Sequence, residues 1–259
     1  MITMRQYRTF AQNIVKNLLL QNTRLRSKAL ICDSNFTRDE LLKYFPDLEN
    51  KSKVVHLGVS KPEAEVFDSI IEKLSLLPEE YLLYVGTLAP HKNIVKLIRS
   101  FAILVRQGYY GKLVIAGGKG WMYEEIFEVV KILNIAEKVV FTGFISQIDL
   151  EGLYKYAFAL INCSLYEGFG LPPLEGMIRN IPAIVSNIPV FKEVCGDAAI
   201  YFNPYDEKDI AEKIASVLND EQLRKEMIFK GLEKVKEYSW EKCARETLKV
   251  YEEVLLDRL

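Results

Sequence analysis

Five short apolar runs, each followed by a turn and then by enough chain for a helix, constrain this sequence more than any other feature. They are Tyr81-Leu82-Leu83-Tyr84-Val85, Leu113-Val114-Ile115-Ala116, Val139-Val140-Phe141, Ala157-Phe158-Ala159-Leu160-Ile161 and Pro182-Ala183-Ile184-Val185. The runs are continuously apolar rather than alternating, so the strands they predict are buried on both faces and belong to a parallel sheet. Helices are expected between them at 93–107, 122–133 and 150–156, and three more at 206–218, 220–236 and 239–257. The expected fold class is α/β, a doubly wound parallel sheet over residues 59–240.

Upstream, Ala29-Leu30-Ile31-Cys32 predicts a short strand, and Ser34-Asn35 caps a helix from Phe36 to Tyr44. Val54-Val55-His56-Leu57 predicts a second strand, closed by Gly58, with a linker at Lys61-Pro62-Glu63. Residues 1–32 carry six basic side chains (Arg5, Arg8, Lys16, Arg24, Arg26, Lys28) and no acid. Phe10, Ile14, Val15 and Leu18 recur there at helical spacing, which makes a basic amphipathic helix over 1–26. Such a helix either docks with its basic face in water or meets anionic lipid or a partner helix.

The whole chain balances 34 Lys and Arg against 35 Asp and Glu, which argues against a generally basic nucleic-acid binder and against an acidic disordered chain. Four scattered cysteines without a CxxC, and only two histidines, offer no metal-ligand spacing and fit a reducing, cytoplasmic setting. The N-terminus has no signal-like apolar region, and no apolar run approaches the length of a membrane span.

In a parallel sheet of this kind ligands bind at the carboxyl ends of the strands. The first run leads into Gly86-Thr87-Leu88-Ala89-Pro90-His91-Lys92-Asn93, where a glycine turn and a lysine can cradle an anion. Taken alone, a lysine in a first turn is more often a solvated surface residue. The second run leads into Gly117-Gly118-Lys119-Gly120-Trp121, which does not match the dinucleotide fingerprint. Gly117 serves either a loop of positive φ or close approach to a ligand.

The fourth run leads into Tyr166-Glu167-Gly168-Phe169-Gly170-Leu171-Pro172-Pro173-Leu174-Glu175-Gly176. Here Glu167 lies in a loop and Glu175 about one turn into the following helix, with a proline fitting its first turn. A carboxylate accepts two hydroxyl hydrogens at once, which suits the vicinal diols of a sugar or ribose. The helix start between the two acids favours a negative group such as phosphate. Carboxylates for hydroxyls, with amides and a lysine for phosphates, describe a nucleotide-sugar site.

Glu167-x7-Glu175 in this setting resembles the signature of the retaining glycosyltransferases of family 4, whose GT-B fold sets two Rossmann-like domains face to face. Tyr84-Val85-Gly86-Thr87 with Lys92-Asn93, Gly117-Gly118-Lys119-Gly120-Trp121, Phe141-Thr142-Gly143-Phe144-Ile145-Ser146 and Tyr238-Ser239-Trp240 are similar to other family stretches. The first two have the flavour of the mannosyltransferase-like subgroup of polysaccharide biosynthesis. The resemblance implies that Glu175 takes the donor ribose, Glu167 the hydroxyls of the transferred sugar, and Lys92 the diphosphate. Amides around Gly168, Phe169, Gly170 and Leu171 assist Lys92, and Gly86, Thr87 and Gly117 complete the donor loops. Phe144 and Ile145 lie beside the base, Ile145 through its backbone.

What the resemblance implies is a hexosyltransferase that moves a hexosyl group, mannosyl in that subgroup, from a nucleotide-diphosphate sugar to a glycan or lipid-linked acceptor with retention. It implies a front-face mechanism with no protein nucleophile, no resident cofactor and no metal, in keeping with the lack of an Asp-x-Asp motif. Two departures stand out. Thr87 replaces the arginine many members carry, and His91 stands where a second basic residue is often found, so neutralisation rests on Lys92 and local packing is the reading for His91. Residues 1–58 resemble only the last part of the acceptor domain, and 241–259 the closing helix that packs back toward it. The expectation is therefore a complete donor half that needs an acceptor-domain partner chain, an oligomer or peripheral membrane contact. Its alternative is a non-catalytic nucleotide-sugar-binding subunit or an inactive truncated transferase. A nucleotide-sugar epimerase or another Rossmann enzyme is a further class, but the glycine fingerprint of a nicotinamide site is missing.

Overall fold

The computed structural model describes residue 19, residues 21–62 and residues 69–256. Of the expected basic helix, residues 21–26 are helical; its apolar positions Phe10, Ile14, Val15 and Leu18 lie outside the described residues. The chain divides into two compact units, one running from Val59 to Glu237 and the other formed by the segments on either side of it.

In the flanking unit, β1 (Leu30–Cys32) is followed by α1 (Asn35–Tyr44) and β2 (Ser52–Val54). Ser34 caps α1 by accepting the Thr37 amide at 2.9 Å. β1 and β2 are parallel partners, Leu30 facing Ser52 and Cys32 facing Val54. β2 thus ends where the sequence had predicted its start. The ladder runs out because β1 stops at Cys32, two residues before the helix cap. Past it the Val55 amide still donates to Cys32 O at 2.9 Å.

The central unit begins with α2 (Ser69–Lys73) and then alternates strand and helix: β3 (Tyr81–Val85), α3 (Ile94–Arg106), β4 (Lys112–Ala116), α4 (Glu124–Ile132), β5 (Val139–Gly143), α5 (Gln147–Tyr156), β6 (Ala159–Asn162), α6 (Leu171–Met177), β7 (Ala183–Ser186), α7 (Pro189–Cys195) and β8 (Ala199–Phe202). Helices α8 (Glu207–Leu218) and α9 (Glu221–Val235) close it. The six strands are parallel, in the order β5-β4-β3-β6-β7-β8.

Both faces are dry. Leu82, Tyr84, Leu113, Ile115, Ala159 and Ile161 point into one core with α3, α4 and α8. Their alternates Tyr81, Leu83, Val114, Ala116 and Leu160 point into the other, with α2 and α5. Two-faced burial is the reason the sequence shows continuous apolar runs, and each buried side chain of this size stabilises by roughly 1.5–3 kcal/mol.

Two elements of the central unit have no counterpart among the predicted ones, besides the short α2. β8 is an edge strand whose middle residues are only half-buried, and it opens on alanine after Gly196-Asp197, so its run is weak. α7 starts at Pro189, close behind β7, and is only seven residues long. α5 begins three residues before its predicted start, because Ser146 caps it, accepting the Asp149 amide at 3.1 Å and donating to its carboxylate at 2.9 Å.

The remaining element, α10 (Trp240–Leu256), belongs to the flanking unit. There Glu253 pairs with Lys53 at 3.1 Å, and the His56 ring meets Tyr238 edge-on at 5.8 Å. No helix among the described residues is long and apolar enough to cross a membrane.

Candidate active site

From β3 the chain builds outward through β4 to β5, then crosses back so that β6 pairs with the free side of β3, Leu82 facing Ala159 and Leu83 facing Leu160. The loops after β3 and β6 therefore leave the sheet side by side at the point where the order of winding reverses, the place where sheets of this kind bind their ligands. Every residue singled out in the sequence follows one of four adjacent strands: Gly86, Thr87 and Lys92 follow β3, Gly117 follows β4, Phe144 and Ile145 follow β5, and Glu167–Leu171 with Glu175 follow β6.

The loops after β3, β4 and β5 continue the sheet by backbone contact. The Gly86 amide donates to Ala116 O at 2.9 Å, Leu88 to Gly118 O at 2.9 Å, and Gly117 to Gly143 O at 3.1 Å. Gly117 has to be glycine, since a Cβ there would lie 2.0 Å from Gly86 O. Phe144 stands beside this platform and is 89% exposed, whereas Ile145 is half-buried against the core that contains Tyr81 and Leu83.

Across the reversal the loops after β3 and β6 are stitched together. Leu165 donates its amide to His91 O at 2.8 Å, and the buried Cys163 thiol donates to Lys92 O at 3.1 Å. Burial pushes that thiol up to about 12, so it stays a donor. With the backbones held, the Lys92 ammonium lies 2.5 Å from Glu167 Oε1, and Ser164 Oγ donates to the same oxygen at 2.7 Å. Both partners of the ion pair are mostly shielded from water, Lys92 being 18% and Glu167 14% exposed. Beneath lies the Tyr84 hydroxyl, buried and without a hydrogen-bond partner among the described residues, its pKa raised by burial and by nearby Cys163 and Glu167.

His91 stacks on Trp121 with ring centroids 5.3 Å apart. Burial, and then the neighbouring Lys92 charge, hold its imidazole below the usual range. A half-buried neutral ring stacked on an indole is a packing element.

After Glu167 the chain turns through Gly170, which adopts φ 94° and precedes α6. A Cβ here would come within 2.4 Å of the Phe191 ring. Phe169 is buried, so only its backbone faces the loop. Glu175 is half-buried on α6. Its Oε2 accepts from the Tyr154 hydroxyl of α5 at 2.8 Å, and its main-chain carbonyl accepts from Arg179 Nη1 at 2.9 Å. Arg179 also clasps the buried Glu151 carboxylate, with Nε donating to Oε2 at 2.7 Å. Among the described residues no hydrogen bond joins Glu175 to Lys92 or Glu167, so the two acids are held by different partners. No cluster of three His, Cys, Asp or Glu side chains there is arranged to hold a metal ion.

Ser164, Tyr154, Arg179 and Glu151 support the candidate residues through these bonds and were not singled out in the sequence. Ser164 carried a signal, three residues before Glu167 in the same loop. Tyr154 and Glu151 come from a helix earlier in the chain and had none.

Residues 66–234 match the family described as glycosyl transferases group 1. O-antigen chain mannosyltransferase B of Escherichia coli is 30% identical over 233 residues, which are 87% of this chain and 60% of the relative. O-antigen chain mannosyltransferase RfbU of Salmonella typhimurium is 32% identical over 209 residues, 81% of this chain and 56% of the relative. The chain thus spans less than two thirds of the length of these relatives. Among solved structures, sucrose-phosphate synthase from Thermosynechococcus elongatus superposes with a TM-score of 0.79 at 22% identity, covering 98% of this chain and 64% of that one. HepE from Anabaena, solved in complex with UDP and glucose, gives 0.80 at 15% identity, covering 94% and 67%. These likenesses extend to the fold, a GT-B half built on a parallel sheet. With the family match running through nearly all of the Val59–Glu237 unit, the chain belongs to the glycosyl transferases group 1.

Proposed function

We propose that this chain carries the donor site of a retaining hexosyltransferase, which moves a hexosyl group from a nucleotide-diphosphate sugar to a glycan or lipid-linked acceptor. Mannose is the sugar this reading favours, on the strength of the relatives' printed activity. The observation that carries the proposal is the Lys92–Glu167 pair, a shielded cation and a shielded carboxylate joined at the winding reversal of the sheet.

In this reading the donor trades the pair's mutual contact for its own. The diphosphate takes the Lys92 ammonium, with amides around Gly168–Leu171, and the sugar hydroxyls donate to Glu167, still fixed by Ser164. Glu175 receives the ribose hydroxyls, and Phe144 and Ile145 border the base. The anomeric C–O bond breaks, and its electron pair stays on the departing phosphate oxygen, whose charge Lys92 offsets. The acceptor oxygen bonds to the anomeric carbon from the same face, and its proton passes to a phosphate oxygen. No protein nucleophile and no metal has a step in this scheme.

The test is calorimetry of the chain against GDP-mannose, UDP-glucose and UDP-N-acetylglucosamine, each compared with its free nucleoside, followed by the anomeric configuration of any product by NMR. A nucleotide sugar that binds well above its nucleoside, and a retained anomer, support the reading. No preference for any nucleotide sugar over its nucleoside, or an inverted product, would overturn it.

A further inference from the structure

Glu175 is held at two points, its side chain by a phenol and its backbone by a guanidinium. Its Oε2 takes the Tyr154 hydroxyl at 2.8 Å, and its main-chain carbonyl takes Arg179 Nη1 at 2.9 Å. Tyr154 is 1% exposed and lies in the core between α5 and the sheet. The Arg179 guanidinium lies over the Tyr154 ring, 5.0 Å from its centroid, and ion-pairs with Glu151, which is 2% exposed. Gln147 donates to the same Glu151 at 3.2 Å. The phenol thus holds the Glu175 carboxylate, the guanidinium holds its main-chain carbonyl, and Glu151 in turn holds the guanidinium. Oε1 of Glu175 has no hydrogen bond among the described residues.

A glutamate on a helix ordinarily samples several rotamers, and a hydrogen bond that holds one oxygen restricts that freedom. Burial keeps the Tyr154 phenol protonated, since its pKa is pushed well above the ordinary value. It therefore remains a donor across the physiological range.

We propose that Tyr154 is a positioning residue: its buried hydroxyl fixes one oxygen of Glu175 so that the other is presented, preset, to the vicinal hydroxyls of the donor ribose. This rests on the proposed role of Glu175 and extends the site inward to α5. The Glu151–Arg179 pair holds the Tyr154 ring and the Glu175 backbone in register for that contact.

The test uses the full chain and four probes, UDP and GDP and their 3′-deoxy analogues, titrated by calorimetry into wild type, Tyr154→Phe, Glu175→Gln and the double variant. Tyr154→Phe keeps the ring and its contact with Arg179. It is expected to weaken the ribonucleotides roughly three- to tenfold while leaving the deoxy analogues unchanged. In the Glu175→Gln background it is expected to have no further effect. Equal weakening of ribo and deoxy probes would make Tyr154 a packing residue only and overturn the proposal. If Glu175→Gln abolishes ribose discrimination and Tyr154→Phe retains it, positioning fails while the ribose role stands. If wild type does not discriminate, or Glu175→Gln still does, the ribose role itself fails. Should Tyr154→Phe not fold, Arg179→Lys reads the same support from the carbonyl side, and unchanged discrimination there would count against it.

Discussion

The ammonium of Lys92 and the hydroxyl of Ser164 converge on a single oxygen of Glu167, at 2.5 and 2.7 Å. Lys92 and Glu167 lie 75 residues apart and meet only because their strands are neighbours at the winding reversal. Each charge is compensated by the other, so a ligand that engages one must also satisfy the other. In the proposed scheme a diphosphate carrying a sugar does both.

Lys92→Ala should accordingly weaken UDP and GDP by roughly ten- to a hundredfold, the loss of one charge-assisted contact, and leave nucleoside binding where it was. Calorimetry with matched nucleoside and diphosphate checks this. An equal fall for both would remove Lys92 from the phosphate subsite.

Excess EDTA should leave nucleotide-sugar binding intact, because a lysine and fixed amide dipoles supply the counter-charge in this scheme. Binding lost with chelator and restored by magnesium or manganese would mean that Lys92 does not carry the neutralisation.

The Glu151–Arg179 pair is nearly sealed from water. Arg179→Ala strands the buried Glu151 carboxylate and should cost about 3–5 kcal/mol in urea unfolding. The double variant Glu151→Gln/Arg179→Met should recover part of that loss, since no uncompensated charge is left behind.

Two adjacent glycines should respond differently to alanine. A Cβ at Gly117 meets the Gly86 carbonyl at 2.0 Å, so Gly117→Ala must displace one loop and should cost at least about 2 kcal/mol. At Gly118 the nearest atom is Phe144 Cβ at 3.8 Å, ordinary contact, and Gly118→Ala should stay within about 1 kcal/mol of wild type. Thermal or denaturant midpoints would check the contrast.

His91 gives a pH signature. Burial, with Lys92 beside it, depresses its pKa below the ordinary 6.5, so the unfolded chain binds the proton more readily than the folded one. The stability it contributes is therefore present above pH about 6.5 and lost as pH falls below it. His91→Phe, which keeps a ring against Trp121, should reduce the stability difference between pH 7.5 and 5.5. An unchanged difference would assign the acid sensitivity elsewhere.

The parallel sheet could be read from the sequence because burial on both faces writes continuous apolar runs, and Tyr81–Val85 and Leu113–Ala116 differ from the observed strands by at most one residue. β8 was not legible, because an edge strand opening on alanine beside Gly196-Asp197 lacks that pattern. In the site, Lys92 and Glu167 could be named as residues that follow the first and fourth runs, but their pairing needed the strand order. Tyr154 was beyond reach, since a tyrosine on an amphipathic helix reads as core, and only the folded chain brings its hydroxyl to Glu175 of α6.

The edge-to-edge joining of β3 and β6 also sets when the site can come into being. During synthesis Lys92 is added soon after β3, when Glu167 is still 75 residues from being made. Until β6 inserts, β3 keeps a row of unpaired amides and carbonyls along its Leu82–Leu83 edge, open to any extended segment that comes by. A product cut short before Asn162 would hold the lysine without its counter-charge and the sheet without its second half. The Lys92–Glu167 pair is therefore acquired only once β6 is in place, and no fragment ending within the first three strands of this sheet can hold it.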